Sequence, residues 1–412
     1  MKVKNLLKGR WVAHSFIAGA LVLLLLFAFL PACAPEVAPP PEEEEEVVPP
    51  PVEPDPYEEY VAALPEGCEA VPRDCFEQAM EEGQLNIYDW AEWWPEEMYP
   101  AFEKEFGIKI VRDNFADYDE MVTKYKLNPK LEYDYLLPDF RAFEQLRAFG
   151  VVGELNHDWI PNVNKYLRED IKEMKYDPGY KYGVIAYLTM NGYTINTKYL
   201  DETDPRVGSW AYIFEAPKDL PEHGRLIMKN DMFQTIGACL IYLGYSYNSD
   251  DEEELEEARE VLMRLKPYIK AFHSWPKREM LTEETWLLGP YGTGEILWLS
   301  EDVPTLKAIL PEEGSFIRGA VMLMPKYAPH PALAHLWINF WFRPDVNLAL
   351  AEITGRTPTH TAVPALLPEK IRTWVGVEPP EGYLEICEFP EARGFTGKGL
   401  ELRTEIWEDL MV

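Results

Sequence analysis

From residue 84 onward, short apolar runs alternate with amphipathic ones, and this alternation restricts the fold more than any other feature. QLNIY at 84–88 has the period of a strand, and EEMYPAFEKEF at 96–106 has the spacing of a helix. IKIVR at 108–112 and YDYLL at 133–137 read as strands, with helices at 119–126 and 143–149. Strands alternating with helices imply βαβ units and a mostly parallel sheet flanked by helices, an α/β fold. The second half repeats the pattern. Strands are expected at 193–195, 225–228, 295–299 and 320–324, and helices at 233–243, 250–265, 330–342 and 346–353. Asn248, Ser249 and Asp250 offer N-caps to the third-last of these helices. The expected architecture is two α/β lobes. Residues 84–190 plus 300–345 form lobe 1, and 191–299 plus 346–412 form lobe 2. The chain would cross between them near 189–193 and 299–303.

The N-terminus reads differently. Residues 2–10 are basic, FIAGALVLLLLFAFL at 16–30 is uninterruptedly apolar, and Leu30-Pro31-Ala32-Cys33 follows. A basic start, an apolar stretch and small residues form an export signal. The Leu-x-Ala-Cys ending resembles a bacterial lipobox. That resemblance implies a signal peptide at 1–32 and a lipidated, palmitate-type anchor on Cys33. An uncleaved anchor helix is the alternative reading. Residues 34–69 hold twelve acidic residues and no basic one, and 33–66 are rich in proline. Such a stretch buries too little to fold and serves as a semi-rigid tether. Export permits disulfides. A local bond between Cys68 and Cys75, seven residues apart around Pro72, is therefore one open reading, and Cys239 reads as core.

Charge narrows the partners. Asp+Glu number 71 against 39 Lys+Arg, a net of −32, and the chain stays strongly acidic past the tether. Nucleic acid is a poor partner for such a surface, whereas a cationic ligand is compatible with it. The charge also has a plain reading as a source of solubility. Among enzymes, an extracellular hydrolase with paired carboxylates is the competing class. However, the chain has no Gly-x-Ser-x-Gly, no His-Glu-x-x-His and no Cys/His metal spacing. Gly292-Thr293-Gly294 lacks the third glycine of a dinucleotide loop and reads as a turn. Neither a metal nor a cofactor is expected.

Four stretches carry a resemblance to a family: LNIYDWAEWW at 85–94, LGYSYNSDDEEELEEAREVLMRLKPYIKAFHS at 243–274, Pro311-Glu312-Glu313-Gly314, and INFWFRPDV at 338–346 leading to Ala351-Glu352-Ile353-Thr354-Gly355. Together, collinear over 84–370, they resemble the spermidine/putrescine-binding proteins of ABC importers, which are extracellular solute-binding proteins. The resemblance implies a two-lobed periplasmic-binding-protein fold of type II that closes on a ligand. It also implies a monomer that is not an enzyme and that delivers its solute to a membrane permease.

A polyamine needs carboxylates for its ammonium groups and aromatic faces for its methylenes. By the resemblance, the cleft aromatics are Trp90, Trp93 and Trp298. The ligand aspartate is Asp231, and a second acid comes from Asp302 or Glu301. Asp139 and Gln234 stand where the family has other cleft residues, a serine and a second acid. Asp139-Phe140-Arg141 and Phe316-Ile317-Arg318-Gly319 depart from the family pattern. Arg141 and Arg318 would then either border the cleft or pair with neighbouring acids. These departures leave open another small cationic solute, or a zwitterion that uses an arginine.

Overall fold

The computed structural model describes residues 55–90, 95–115, 117–174, 176–215, 226–275 and 287–412. The signal at 1–32, Cys33, the tether up to residue 54, and Trp93 with Trp94 lie outside the described residues. Helices of eight residues or more are numbered here. Helix α1 (Pro56–Ala63) falls inside the segment expected to be tether. Asp55 caps it by accepting the Tyr57 N–H at 2.9 Å, and proline suits its first turn. Tyr60 stacks on Phe76 of α2 (Arg73–Glu82) at 4.8 Å, so ordered packing starts earlier than composition suggests.

Strands β1 (Gln84–Trp90), β2 (Lys109–Phe115) and β3 (Tyr135–Leu136) run parallel, joined by α3 (Met98–Phe106) and α4 (Tyr118–Leu127). Helix α5 (Phe140–Ala148) follows β3. The strand expected at 193–195 is the end of a much longer one, β4 (Gly183–Asn196), buried at every position. Beyond it come β5 (Leu226–Lys229), α6 (Met232–Tyr242), α7 (Glu252–Leu265), β6 (Ile269–His273) and β7 (Leu287–Gly292). Residues 295–299, expected as a strand, lie in helix α8 (Thr293–Asp302). The short apolar run Ile296–Leu299 fits either element by periodicity alone. The remaining elements are β8 (Leu306–Ile309), β9 (Ile317–Leu323), α9 (Pro331–Trp341), α10 (Pro344–Thr354), β10 (Thr357–Pro358) and α11 (Gly397–Met411).

Strand β4 joins the two lobes. Its first half, Gly183 to Met190, pairs antiparallel with β9 in the sheet that also holds β1, β2 and β3. Its second half, Asn191 to Asn196, pairs with β7 and β8, and β7 continues in parallel to β5 and then β6. The hydrophobic cores divide at the same place. Leu188 belongs to one core with Leu85, Phe102 and Trp337, and Tyr193 to the other with Trp210, Ile236 and Leu410. Gly192 sits at the change of partners. A Cβ there would lie 2.1 Å from the Ile309 carbonyl oxygen, so the close strand approach requires glycine.

Two boundaries differ from expectation. Strand β8 pairs with the second half of β4, so the return crossing lies between Ile309 and Ile317 and not at 299–303. Val346 and Leu350 of α10 pack into the first core, although residues 346–412 were assigned to lobe 2. The Cys68–Cys75 disulfide is also corrected, since both thiols are free. Cys75 is buried in α2 with Sγ against the Ala332 carbonyl at 3.9 Å, whereas Cys68 Sγ lies 3.8 Å from Asp345. Packing against α9 therefore holds the Cys75 side chain, and burial pushes its thiol well above the ordinary range.

Candidate functional site

In open α/β sheets, ligands bind beyond the carboxyl ends of the strands, where loops and helix N-termini converge. Here that position is a cleft of about 550 Å³ lined from both lobes, a volume suited to a small solute. The first lobe contributes the ends of β1 and β3. Strand β1 delivers Trp90, half-buried, with its indole edge-on to Phe115 at 5.3 Å and tilted against Tyr118 at 5.2 Å. Strand β3 runs into Asp139, which caps α5 by accepting the Ala142 N–H at 2.8 Å. Burial raises the Asp139 carboxyl above its ordinary value, against the pull of Arg141.

The second lobe mirrors this device. Strand β5 ends at Lys229, and Asp231 caps α6 by accepting the Gln234 N–H at 3.0 Å. The Gln234 side-chain amide donates to the other Asp231 oxygen at 2.6 Å. Gln234 Oε1 then accepts from Asn191 Nδ2 at 2.6 Å and from Arg318 at 3.2 Å. Gln234, read as a replaced acid, therefore ties Asp231 to Arg318 of the first sheet's β9. A glutamate there would lack the N–H that Asp231 accepts.

Of the residues expected at the site, Trp90, Asp139, Asp231 and Gln234 share this cleft, and both Arg141 and Arg318 border it. Both alternatives for the arginines hold at once, because each also pairs with an acid. Arg141 lies 2.6 Å from Asp119, with its guanidinium over the Phe233 ring at 5.2 Å. Arg318 lies 3.5 Å from Glu295. Trp298 and Asp302 are not among the cleft residues, which corrects their placement. Both ride on α8, where the Trp298 indole N–H donates to the Ile353 carbonyl at 2.7 Å and Asp302 is exposed at the helix end. The hydrogen bond to Ile353 holds the Trp298 indole against helix α10. Glu301, the other candidate acid, pairs with Lys370 at 2.9 Å on the surface.

Sequence reasoning missed Lys229, Glu295, Tyr187 and Arg356. Lys229 and Glu295 form a buried pair at 3.2 Å, with side chains 6% and 3% exposed. Burial pulls the Lys229 ammonium below the usual lysine value, while Glu295 opposes the shift. Arg356 follows α10 and stacks over the Tyr187 ring at 4.3 Å. Gly294, in the first turn of α8, makes room for it: a Cβ there would come within 2.9 Å of Arg356 Cγ and 2.7 Å of the Thr354 carbonyl. The Gly292-Thr293-Gly294 segment is thus the junction between β7 and α8, with its second glycine set by packing. Among the described residues, no group of three or more His, Cys, Asp or Glu side chains is placed to hold a metal ion.

The chain's similarities agree with this architecture. The family described as bacterial extracellular solute-binding protein matches residues 97–379. The spermidine/putrescine-binding periplasmic protein of Salmonella typhimurium is 28% identical over 294 residues, 71% of this chain and 82% of that one. A putrescine/agmatine-binding protein of Pseudomonas aeruginosa is 27% identical over 302 residues, 70% of this chain and 81% of that one. Among solved structures, a putative spermidine/putrescine ABC transporter protein from Listeria monocytogenes superposes with a TM-score of 0.70 at 23% identity. It covers 80% of this chain and 99% of that one, and shows the same two-lobed fold.

Proposed function

Since the chain belongs to the bacterial extracellular solute-binding protein family, we propose that it captures a small amine-bearing solute of the polyamine class for an ABC importer. It acts by binding and not by catalysis. The observation that carries this reading is the pair of carboxylates, Asp139 and Asp231, facing one cleft from opposite lobes beside Trp90. An ammonium placed between them would gain charge-assisted hydrogen bonds to both, and the indole face would cover adjacent methylenes. Because each carboxylate caps a helix on a different lobe, one ligand would tie the lobes together. Lobe closure would thus be coupled to capture, and the closed form would be the one delivered to a permease. The polyamine ligands named for the relatives support the amine class.

Isothermal calorimetry tests the reading. Putrescine, spermidine and amines that also carry a carboxylate form the panel. At least one amine should bind with Kd well below about 1 mM. Failure of every amine at that concentration would contradict the amine class while leaving the fold and family intact.

The N-terminal sequence supports a second element of the proposal. The basic start, the apolar run and Leu30-Pro31-Ala32-Cys33 fit a lipid anchor on Cys33, holding the body outside the membrane on the acidic, proline-rich tether. Cys33→Ser should move the protein from the membrane fraction to the soluble one. Unchanged membrane association of that variant would contradict the anchor.

A further inference from the structure

The cleft's charges pair off unevenly. Asp119 is matched by Arg141, and Glu295 by Lys229 with Arg318 at its edge. On one side are three lining carboxylates, Asp117, Asp139 and Asp231, each capping a helix, with Arg141 and Arg318 also pulling on Asp139. On the other side is Arg356. It is only 9% exposed and lines the cleft, yet among the described residues it has no hydrogen-bond or ion-pair partner. Its guanidinium carbon lies over the Tyr187 ring, 4.3 Å from the ring centre. A buried guanidinium without an anion is costly, and a planar fork of donors matches a carboxylate bidentately.

Arg318 also lines the cleft, but it is already engaged by Glu295 and by Gln234, which ties it to Asp231. A purely cationic ligand that reached Arg356 would meet a guanidinium with no anion of its own. The aromatic faces there are also partly taken by the protein's own cations, with Arg356 over Tyr187 and Arg141 over Phe233. The lining carboxylates therefore suit an ammonium, and Arg356 suits an anion.

We propose that the solute is zwitterionic, an amine that also bears a carboxylate, and that Arg356 receives the carboxylate while Asp139 and Asp231 receive the amine. This rests on the amine reading of the same cleft and narrows it. Arg356 would then set this chain's preference between an amino acid and the matching diamine.

Matched ligands that differ only by a carboxylate separate the possibilities. Ornithine is putrescine with a carboxylate, and lysine is cadaverine with one. In calorimetric titrations of the wild-type protein, the amino acid of each pair should bind about ten- to a hundredfold more tightly than its diamine. Arg356→Gln should erase that preference by weakening the amino acid while leaving the diamine unchanged or improved, and Arg356→Lys should restore part of it. A thermal melt establishes that each variant is folded. If a variant does not fold, the wild-type comparison alone decides. A diamine binding as tightly as its amino acid would overturn the zwitterion inference and leave the amine reading standing. An Arg356→Gln variant that weakens both members equally would also overturn it. If neither member of either pair binds, the amine reading fails and this inference falls with it.

Discussion

Replacing Glu295 by glutamine should destabilise the protein by about 3 kcal/mol, the lower end of the cost of breaking a buried ion pair. The change keeps the side chain's size, so the loss reports the charge. Glu295 lies in the first turn of α8, 3.2 Å from the Lys229 ammonium and 3.5 Å from Arg318. Without it, two cations share a buried region with no carboxylate between them. Lys229 then has one remaining escape, which is to give up its proton. Its pKa is already lowered by burial, and loss of Glu295 lowers it further. A lysine whose pKa is lower folded than unfolded binds more protons when unfolded, so stability rises with pH through that window. The variant's deficit in urea unfolding should therefore shrink as pH rises towards the ordinary lysine value of about 10.4. A deficit that is small at neutral pH, or that grows with pH, would contradict the pairing.

The second large effect concerns the ligand. Asp231→Asn should weaken binding of the captured amine by about a hundredfold or more, the usual result of removing one partner of a desolvated charge pair. Asparagine remains a good helix cap, so stability should change by less than about 1 kcal/mol. The separation is informative because Asp231 has duties to the fold and to the ligand, its second oxygen also accepting the Gln234 side-chain amide. It accepts the Gln234 backbone N–H to start α6, and it offers a carboxylate to the cleft. If affinity is retained and only stability falls, Asp231 is a cap and nothing more. Affinity is read by calorimetry, and stability by denaturant unfolding of the free protein.

The strands and helices that alternate in the first lobe were legible because each has a clean period and a turn signal. Asp139 and Asp231 were reached through the resemblance, and the structure shows each capping a helix at the end of a strand. The long strand β4 was not legible beyond its last residues. It is buried on both faces, so it shows no alternation, and Gly192 interrupts it. Residues 295–299 were ambiguous for the same reason of length. The placement of Trp298 and Asp302 in the cleft rested on resemblance and not on any local signal.

The basic corner was only partly visible. Arg318 stood out as a departure from the family pattern. Tyr187, Lys229 and Arg356 did not, because they lie far apart in the chain and meet only where β4 passes between the sheets. Arg356 sits in a short segment between α10 and β10, with nothing local to set it apart. Its importance comes from what it lacks, an anionic partner, and that is a property of the fold alone.

The most direct test of the account is the crystal structure of the protein with its tightest ligand from the amine panel. The account predicts the solute in the cleft, with its nitrogen about 3 Å from an Asp139 or Asp231 oxygen and its chain against the Trp90 indole. A ligand seated elsewhere, or one whose amine faces solvent while both aspartates only cap their helices, would contradict it.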